Sequence, residues 1–111
     1  MSGETMNELT IELLQELCLN KSVLWTTHVL KRLQERGIYR EDVFNAISTG
    51  KIIEQYTDSY PYPSCLVFGI SLKNVPLHIV VGYDGNHLYI ITAYFPNTDK
   101  FEDDLQTRKE K

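Results

Sequence analysis

Residues 76–94 read PLHIVVGYDGNHLYIITAY and contain the clearest structural signal in the sequence. Two apolar runs, Leu77–Tyr83 and Leu88–Tyr94, flank Asp84-Gly85-Asn86, a combination of residues that is typical of tight turns. Both runs are rich in β-branched and aromatic residues and are too short for helices. The sequence therefore predicts a hairpin of two antiparallel strands.

Similar runs precede this hairpin. Ile52–Thr57 and Cys65–Ser71 have the same composition, and Lys73-Asn74 is a turn signal. Residues 60–63, Tyr-Pro-Tyr-Pro, are expected to form a connection because proline cannot donate a hydrogen bond to a strand ladder. The second half of the chain therefore predicts a four-stranded antiparallel sheet whose last three strands form a meander.

The first half of the chain has helical periodicity instead. Apolar residues recur every three or four positions in Asn7–Leu19, His28–Arg36 and Arg40–Ser48. Gly37 and Gly50 follow the last two segments, where glycine commonly ends a helix. The predicted fold class is α+β, with N-terminal helices packed on one face of the sheet.

The length of 111 residues corresponds to one domain, in which residues 1–22 form an N-terminal helix and residues 23–111 the remainder. After Pro96 the chain is polar, which predicts a short helix or a frayed end. No apolar run is long enough for a bilayer, and Met1–Glu4 lacks the pattern of a secretion signal, so a cytoplasmic location is expected. Cys18 and Cys65 are isolated and are expected to be buried free thiols.

Charge is unevenly distributed along the chain. The net charge of −4 argues against a general nucleic-acid binder, yet residues 21–51 carry six basic and three acidic side chains. The remaining residues carry five basic and twelve acidic side chains. A basic helix on an acidic body can bind one phosphate while repelling long polyanions, although the same charges also fit a solvated helix face.

His28, Arg32 and Arg36 are spaced four residues apart on the second predicted helix. One face of that helix therefore presents an imidazole and two guanidinium groups. Arginine binds phosphate oxygens through paired donors, and histidine exchanges protons near neutral pH. The alternative is a helix capped by His28 with two arginines that point into solvent.

His78 interrupts an apolar strand, where an imidazole needs a partner or a function. A core histidine with satisfied hydrogen bonds is the alternative. If Asp84-Gly85-Asn86 is a three-residue loop, Tyr83 pairs with His87, and His78 lies opposite Thr92. A two-residue turn would instead set His78 opposite Ile91 or Ala93.

The three-residue loop predicts which side chains share each face of the sheet. The mixed face then contains His78, Val80, Ile90, Thr92 and Tyr94. The apolar face, on which the helices are expected to pack, contains Leu77, Ile79, Val81, Tyr89, Ile91 and Ala93.

Several segments together resemble the family called domain of unknown function 4258, over most of Trp25–Arg108. They are residues 27–38 (THVLKRLQERGI), 42–43 (DV), 46–47 (AI), 50–54 (GKIIE), 76–80 (PLHIV) and 92–96 (TAYFP). That family is similar to the RelE and BrnT toxins and to barnase-like ribonucleases, in which helices precede a curved antiparallel sheet that carries the active site. The resemblance therefore implies a RelE- or barnase-like ribonuclease toxin fold.

The resemblance also implies a metal-independent endoribonuclease of the bacterial toxin type. In such a reaction a base deprotonates the 2′-hydroxyl, which attacks phosphorus, and an acid protonates the departing 5′-oxygen. The implied catalytic residues are His28, Arg32, His78 and Tyr94, with the two histidines as base and acid in either order. The implied substrate-binding residues are Lys31, Arg36 and Thr92.

No cofactor or metal is expected, because His28, His78 and His87 lack the spacing of a metal site. The expected partners are an RNA substrate and a neutralising antitoxin protein, and neither DNA nor a membrane is expected. The alternative function is a non-catalytic protein-binding module on the same scaffold.

Overall fold

The computed structural model describes residues 8–110, which form a mixed α+β fold. Its helices are α1 (Ile11–Leu19), α2 (Thr27–Glu35) and α3 (Arg40–Thr49). Its strands are β1 (Val23–Leu24), β2 (Lys51–Tyr56), β3 (Ser64–Ile70), β4 (Pro76–Tyr83) and β5 (Leu88–Tyr94). They form one sheet, which is not closed, in the order β1-β5-β4-β3-β2.

Most elements lie within one or two residues of their predicted positions. Asn7, the predicted start of the first helix, and Met1–Glu4 lie outside the described residues. Thr10 and Thr26 cap α1 and α2, since their side chains accept hydrogen bonds from the backbone N–H groups of Leu13 and Val29. None of the helices in the described part of the chain has the length and apolarity needed to span a membrane.

The prediction of four antiparallel strands is wrong, because β1 adds a fifth strand that runs parallel to β5. Val23 pairs with Leu88, and Leu24 pairs with Tyr89. A strand of two residues cannot show a period of two, so the sequence contains no pattern that would reveal it. The other neighbouring strands in the sheet pair antiparallel.

The connection between β4 and β5 is longer than predicted. Tyr83 pairs with Leu88 rather than with His87, and a bulge further along β5 adds one more residue, so that His78 lies opposite Tyr94 rather than Thr92. The side chain of Asp84 stabilises the turn, because Oδ1 accepts hydrogen bonds from the backbone N–H groups of Asn86 and His87. These bonds also lower the pKa of the Asp84 carboxyl, chiefly through the one from His87.

The longer loop and a β-bulge in β5 together change which residues face the helices. Val80 pairs with Thr92 but Val81 pairs with Ile90, so Ile91 is an extra residue. Because the loop is one residue longer than predicted, Ile90 lies opposite Val81 and is buried on the helix side, contrary to prediction, while the extra residue Ile91 is 39% exposed. Tyr89 moves to the opposite side of the sheet, where it lies over Gly82.

The hydrophobic core lies between the helices and one face of the sheet. Leu77, Ile79 and Val81 of β4 contribute to it as predicted, together with Leu14, Leu33, Val43, Ile47, Cys65, Val67, Ile90 and Ala93. The face opposite the helices, called the distal face below, carries His78, Val80, Thr92 and Tyr94, because residues two apart on a strand share a face. These four residues share a face as predicted, although through a longer loop and a bulge rather than through the three-residue loop on which the prediction was based.

The two cysteines are free thiols, as predicted. Cys65 is fully buried and Cys18 is partly buried. Burial raises the pKa of Cys65 to about 12 and that of Cys18 to about 11, so both remain protonated near neutral pH.

The C-terminal segment, defined as residues 96–110, is neither a helix nor a frayed end. Its chain folds back on itself, since the N–H of Lys109 donates to Lys100 (2.8 Å) and the N–H of Glu102 donates to Thr107 (2.7 Å). Phe101 and Arg108 form an isolated antiparallel bridge, and Phe101 is 4% exposed. The polar composition of the segment suggested a short helix or a frayed end, but the buried Phe101 fixes the segment to the sheet.

Helix α3 packs on β3 at a distance that requires glycine. A Cβ atom at Gly69 would lie 1.9 Å from the carbonyl oxygen of Ala46, a backbone atom that cannot move independently of its helix. A Cβ atom at Gly82 would instead lie 2.3 Å from the ring of Tyr89, a side chain that can rotate. Gly69 is therefore required by a backbone contact, whereas at Gly82 the obstructing group is a side chain that can move aside.

We expect Gly69→Ala to lower the free energy of unfolding by about 3 kcal/mol, because α3 must shift as a unit, and Gly82→Ala to lower it by only about 1 kcal/mol. Urea denaturation of both variants, monitored by circular dichroism, tests this difference. Equal losses in the two variants would contradict the close helix–strand contact.

Candidate functional site

The basic face of α2 forms a groove with strand β5. Its lining residues are His28, Val29, Arg32, Leu33, Arg36, Ile91 and Thr92, and its volume is about 210 Å³. The groove is named the α2–β5 groove below. The helical spacing of four residues brings His28, Arg32 and Arg36 to one side, as predicted, and the bulge in β5 turns Ile91 towards them.

Arg36 fixes the position of α2 relative to β5. Its Nη1 donates hydrogen bonds to Thr92 Oγ1 (3.1 Å) and to the carbonyl oxygen of Ala93 (2.8 Å). Within residues 8–110 its Nε and Nη2 have no protein acceptor, so these donors can bind a ligand. Arg36 therefore joins helix and sheet and still offers donors to the groove.

His28 and Arg32 are exposed, and no other side chain in the described part of the chain forms a hydrogen bond or salt bridge with them. Lys31 is also exposed but lies outside the residues that line the groove. His28 and Arg32 can therefore bind an anion in the groove, next to Arg36, which is hydrogen-bonded to Thr92.

His78 and Tyr94 lie elsewhere, in a separate cluster on the distal face. His78 is fully buried; its Nε2 is 2.7 Å from the carbonyl oxygen of Leu105 and its Nδ1 is 3.4 Å from Tyr94 Oη. A carbonyl oxygen can only accept, so we assign the proton to Nε2, and Nδ1 then accepts from the Tyr94 hydroxyl. Both nitrogens are satisfied.

Aromatic rings enclose this imidazole. Phe101 of the C-terminal segment packs edge-on against His78 with ring centroids 4.7 Å apart, and Tyr94 does so at 5.4 Å. Desolvation by this burial lowers the pKa of His78, although the hydrogen bond to Leu105 opposes the shift. The neutral form is therefore favoured, and in the described structure His78 offers no free nitrogen to a substrate.

The structure consequently divides the predicted site residues into two groups. His28, Arg32, Arg36 and Thr92 meet in the α2–β5 groove, whereas His78 and Tyr94 form the distal-face cluster. The resemblance implied one catalytic set of His28, Arg32, His78 and Tyr94, and the structure does not bring these residues to one place. Sequence spacing could not reveal this, because the residues that cover His78 lie more than 20 positions further along the chain.

Sequence reasoning missed three members of the distal-face cluster. Arg108 forms a bidentate salt bridge with Glu54, with Nε 2.8 Å from Oε2 and Nη2 3.0 Å from Oε1. The hydroxyl of Tyr56 donates to the same carboxylate. Hydrogen bonding from Arg108 lowers the pKa of Glu54, whereas burial and this carboxylate raise the pKa of Tyr56. No local motif links residues so distant in sequence.

The described residues contain no group of three or more His, Cys, Asp or Glu side chains arranged to hold a metal ion. The chemistry available in the α2–β5 groove is therefore that of one imidazole, two guanidinium groups and one hydroxyl. Such groups can bind and polarise an oxyanion, either a tetrahedral one such as phosphate or a trigonal one such as carboxylate.

The molecule is thus a small α+β domain in which helices cover one face of an open, mainly antiparallel sheet and one helix forms a basic groove with strand β5. Residues 25–95 match a family model described as "Domain of unknown function (DUF4258)". The chain belongs to this family, and the resemblance stated above is confirmed at that level. No curated protein and no solved structure matched the chain.

The burial of His78 predicts a pH dependence of stability. Since its pKa is lowered in the folded chain, the unfolded chain binds the proton first as the pH falls through about 6.5. Stability should therefore be complete above about pH 7.5 and decrease towards about pH 5.5. Glu54, whose pKa is also lowered, contributes only at more acidic pH.

We expect His78→Gln to be less stable than the wild type at about pH 7.5, and to show a flatter dependence on pH below that value. The exposed His28 provides the matched control, since His28→Gln should retain the wild-type dependence. Urea denaturation at a series of pH values measures this. An equally steep decline in His78→Gln would show that another group titrates.

Proposed function

We propose that this chain is a metal-independent endoribonuclease of the bacterial toxin type, and that the α2–β5 groove binds the scissile phosphate. One observation supports the proposal most strongly. His28 and Arg32 are exposed and unpaired within the described residues, and they line one groove with Arg36 and Thr92. The proposed relationship to RelE, BrnT and barnase-like ribonucleases is part of the same proposal.

The proposed reaction is a transesterification within the RNA. The 2′-hydroxyl loses its proton and its oxygen bonds to phosphorus, while the bond from phosphorus to the 5′-oxygen breaks and that oxygen gains a proton. Arg32 and the free donors of Arg36 stabilise the extra negative charge of the pentacoordinate phosphate. The RNA itself supplies the nucleophile, so the reaction requires no metal-bound water.

His28 is the proposed acid–base group, because it is the imidazole that lines the groove. Thr92 is proposed to orient the phosphate, since Arg36 holds its hydroxyl in place. With one imidazole available, the second proton transfer is left to water. One positioned acid or base contributes on the order of 10²–10⁴-fold to a rate, so the proposed enzyme is slow in this form.

We expect the purified chain to cleave RNA and to leave 2′,3′-cyclic phosphate ends. His28→Gln should lower the rate by on the order of 10²-fold or more, and Arg32→Gln should lower it similarly. The matched control is Lys73→Gln, since Lys73 contacts Tyr39 and does not line the groove. Mass spectrometry of the fragments and a gel-based rate assay measure both effects.

In bacteria, expression of the wild-type chain should arrest growth, and His28→Gln should relieve the arrest. A rate that depends on one imidazole should also vary with pH along a single limb rather than as a bell. RNA that stays intact with and without added ribosomes would contradict the proposal.

The proposed partner is an antitoxin protein that covers the α2–β5 groove. A partner with acidic side chains would complement His28, Arg32 and the nearby Lys31, which are exposed on α2. Binding there would block the phosphate site directly.

A second candidate function is protein binding without catalysis. The burial of His78 favours it, because the second imidazole of the expected acid–base pair is not available. The connection before β3 also exposes two aromatic side chains, with Tyr60 94% and Tyr62 42% exposed. Exposed tyrosines are common at protein interfaces.

For this second function we expect the double variant Tyr60→Ser, Tyr62→Ser to weaken binding of a co-purified partner by at least about tenfold, equivalent to 1.4 kcal/mol. His28→Gln should leave that binding unchanged. Titration calorimetry with the purified partner provides the measurement. Loss of binding in His28→Gln alone would favour the groove as the partner site instead.

A further inference from the structure

The C-terminal segment closes over the polar centre of the distal face. The carbonyl oxygen of Leu105 accepts a hydrogen bond from His78 at 2.7 Å, and the ring of Phe101 packs on the same imidazole. Arg108 then lies over the Phe101 ring, with its Cζ 4.7 Å from the centroid, and forms its salt bridge with Glu54. Three residues of the segment thus engage two residues of the sheet.

The family match includes the surface beneath the segment but not the segment itself. The match to the family model ends at residue 95, so the C-terminal segment lies outside it. Glu54, His78 and Tyr94 lie inside it. In this chain the polar cluster therefore lies within the matched residues, and a segment outside them covers it.

The contacts that hold the segment are of a reversible kind. The side chain of Arg108 is 48% exposed, and salt bridges in such positions are weakened by solvent and salt. Leu105 adopts a left-handed backbone conformation, with φ 58°, which is unfavourable for a residue with a bulky side chain. Burial of Phe101 and the hydrogen bond from His78 to Leu105 are the contacts that oppose release.

The C-terminal segment also adds net negative charge to the distal face. It contains five acidic and three basic residues, and most of its acidic side chains are exposed. A phosphate backbone that approached the distal face would therefore be repelled while the segment is closed. Release of the segment would remove both this charge and the steric cover.

The covered cluster adjoins the α2–β5 groove through strand β5. Thr92 lines the groove and shares the distal face with Tyr94, two residues further on. Arg36 reaches Thr92 from α2, so the groove and the distal face meet at this hydroxyl. An RNA phosphate at Thr92 would thus lie between His28 on one side and the covered cluster on the other.

We propose that the C-terminal segment is an autoinhibitory cover whose release exposes His78 and Tyr94 to the RNA. The catalytic consequence rests on the proposed function. In the released state one imidazole takes the 2′-hydroxyl proton as its oxygen bonds to phosphorus, and the other gives a proton to the departing 5′-oxygen. The closed state described here is the slower one, in which His28 is the only imidazole of the two that can reach the RNA.

The test uses the full chain with Arg108→Gln, which removes the salt bridge, and with Arg108→Gln combined with Phe101→Ser. Lys109→Gln is the matched control, since its side chain forms no hydrogen bond or ion pair within residues 8–110. A histidine-selective acylating reagent, read by peptide mass spectrometry, reports the exposure of His78. The exposed His28 and His87 are internal references for free reactivity.

We expect His78 to be modified at least tenfold faster in the double variant than in the wild type, with a smaller increase in Arg108→Gln and none in Lys109→Gln. RNA cleavage should rise in the same order, and adding His78→Gln to the double variant should abolish the gain. Hydrogen exchange of the β4 amides must remain slow, which shows that the sheet itself stays folded.

Unchanged protection of His78 in the double variant would overturn the proposal, and so would exposure that appears only when the β4 amides also exchange. Faster modification of His78 without any gain in cleavage by an active enzyme would overturn the inhibitory role. RNA that remains intact in the wild type and in every variant would overturn the proposed function instead, because exposure of His78 is measured without RNA.

Discussion

The bulge in β5 is the constraint on which the rest of the arrangement depends. A single extra residue, Ile91, interrupts the alternation of side chains, so that Ile90 faces the core while Thr92, two residues further on, faces the opposite side. The same residue turns towards α2 and forms one wall of the α2–β5 groove. Beyond the bulge, Thr92 and Tyr94 return to the face of His78. One local irregularity therefore sets both the packing of the core and the composition of the two polar clusters.

Periodicity and turn chemistry were sufficient to predict the helices and the longer strands, because those elements bury a regular stripe of apolar residues. They were insufficient for β1, whose two residues contain no period, and for the turn after β4, where the side chain of Asp84 supports a longer loop than its sequence suggests. The bulge could not be predicted from the sequence either, since the apolar residues around it are compatible with either face of the sheet. These features depend on tertiary contacts rather than on local preference.

The two polar clusters differ in how visible they are in the sequence. His28, Arg32 and Arg36 follow helical spacing, so their common face could be predicted from the sequence alone. The distal-face cluster depends on Glu54, His78 and Arg108, which come from three distant parts of the chain. His78 was recognised as unusual because it interrupts an apolar strand, but its partner is a backbone carbonyl that carries no side-chain signature. The family match covers residues 25–95 and therefore does not include Leu105, the partner of His78.

The hydrogen bond from Arg36 to the carbonyl oxygen of Ala93 has a consequence for behaviour at high concentration. Beyond Tyr89, strand β5 has no neighbouring strand on its β1 side within the described residues, so its backbone could template pairing with another chain. The guanidinium occupies one of the free acceptors there and presents a positive charge at the margin of the sheet. Packing of α2 on β5 therefore opposes edge-to-edge aggregation. Unfolding of this one helix would expose the edge of the strand and favour aggregation.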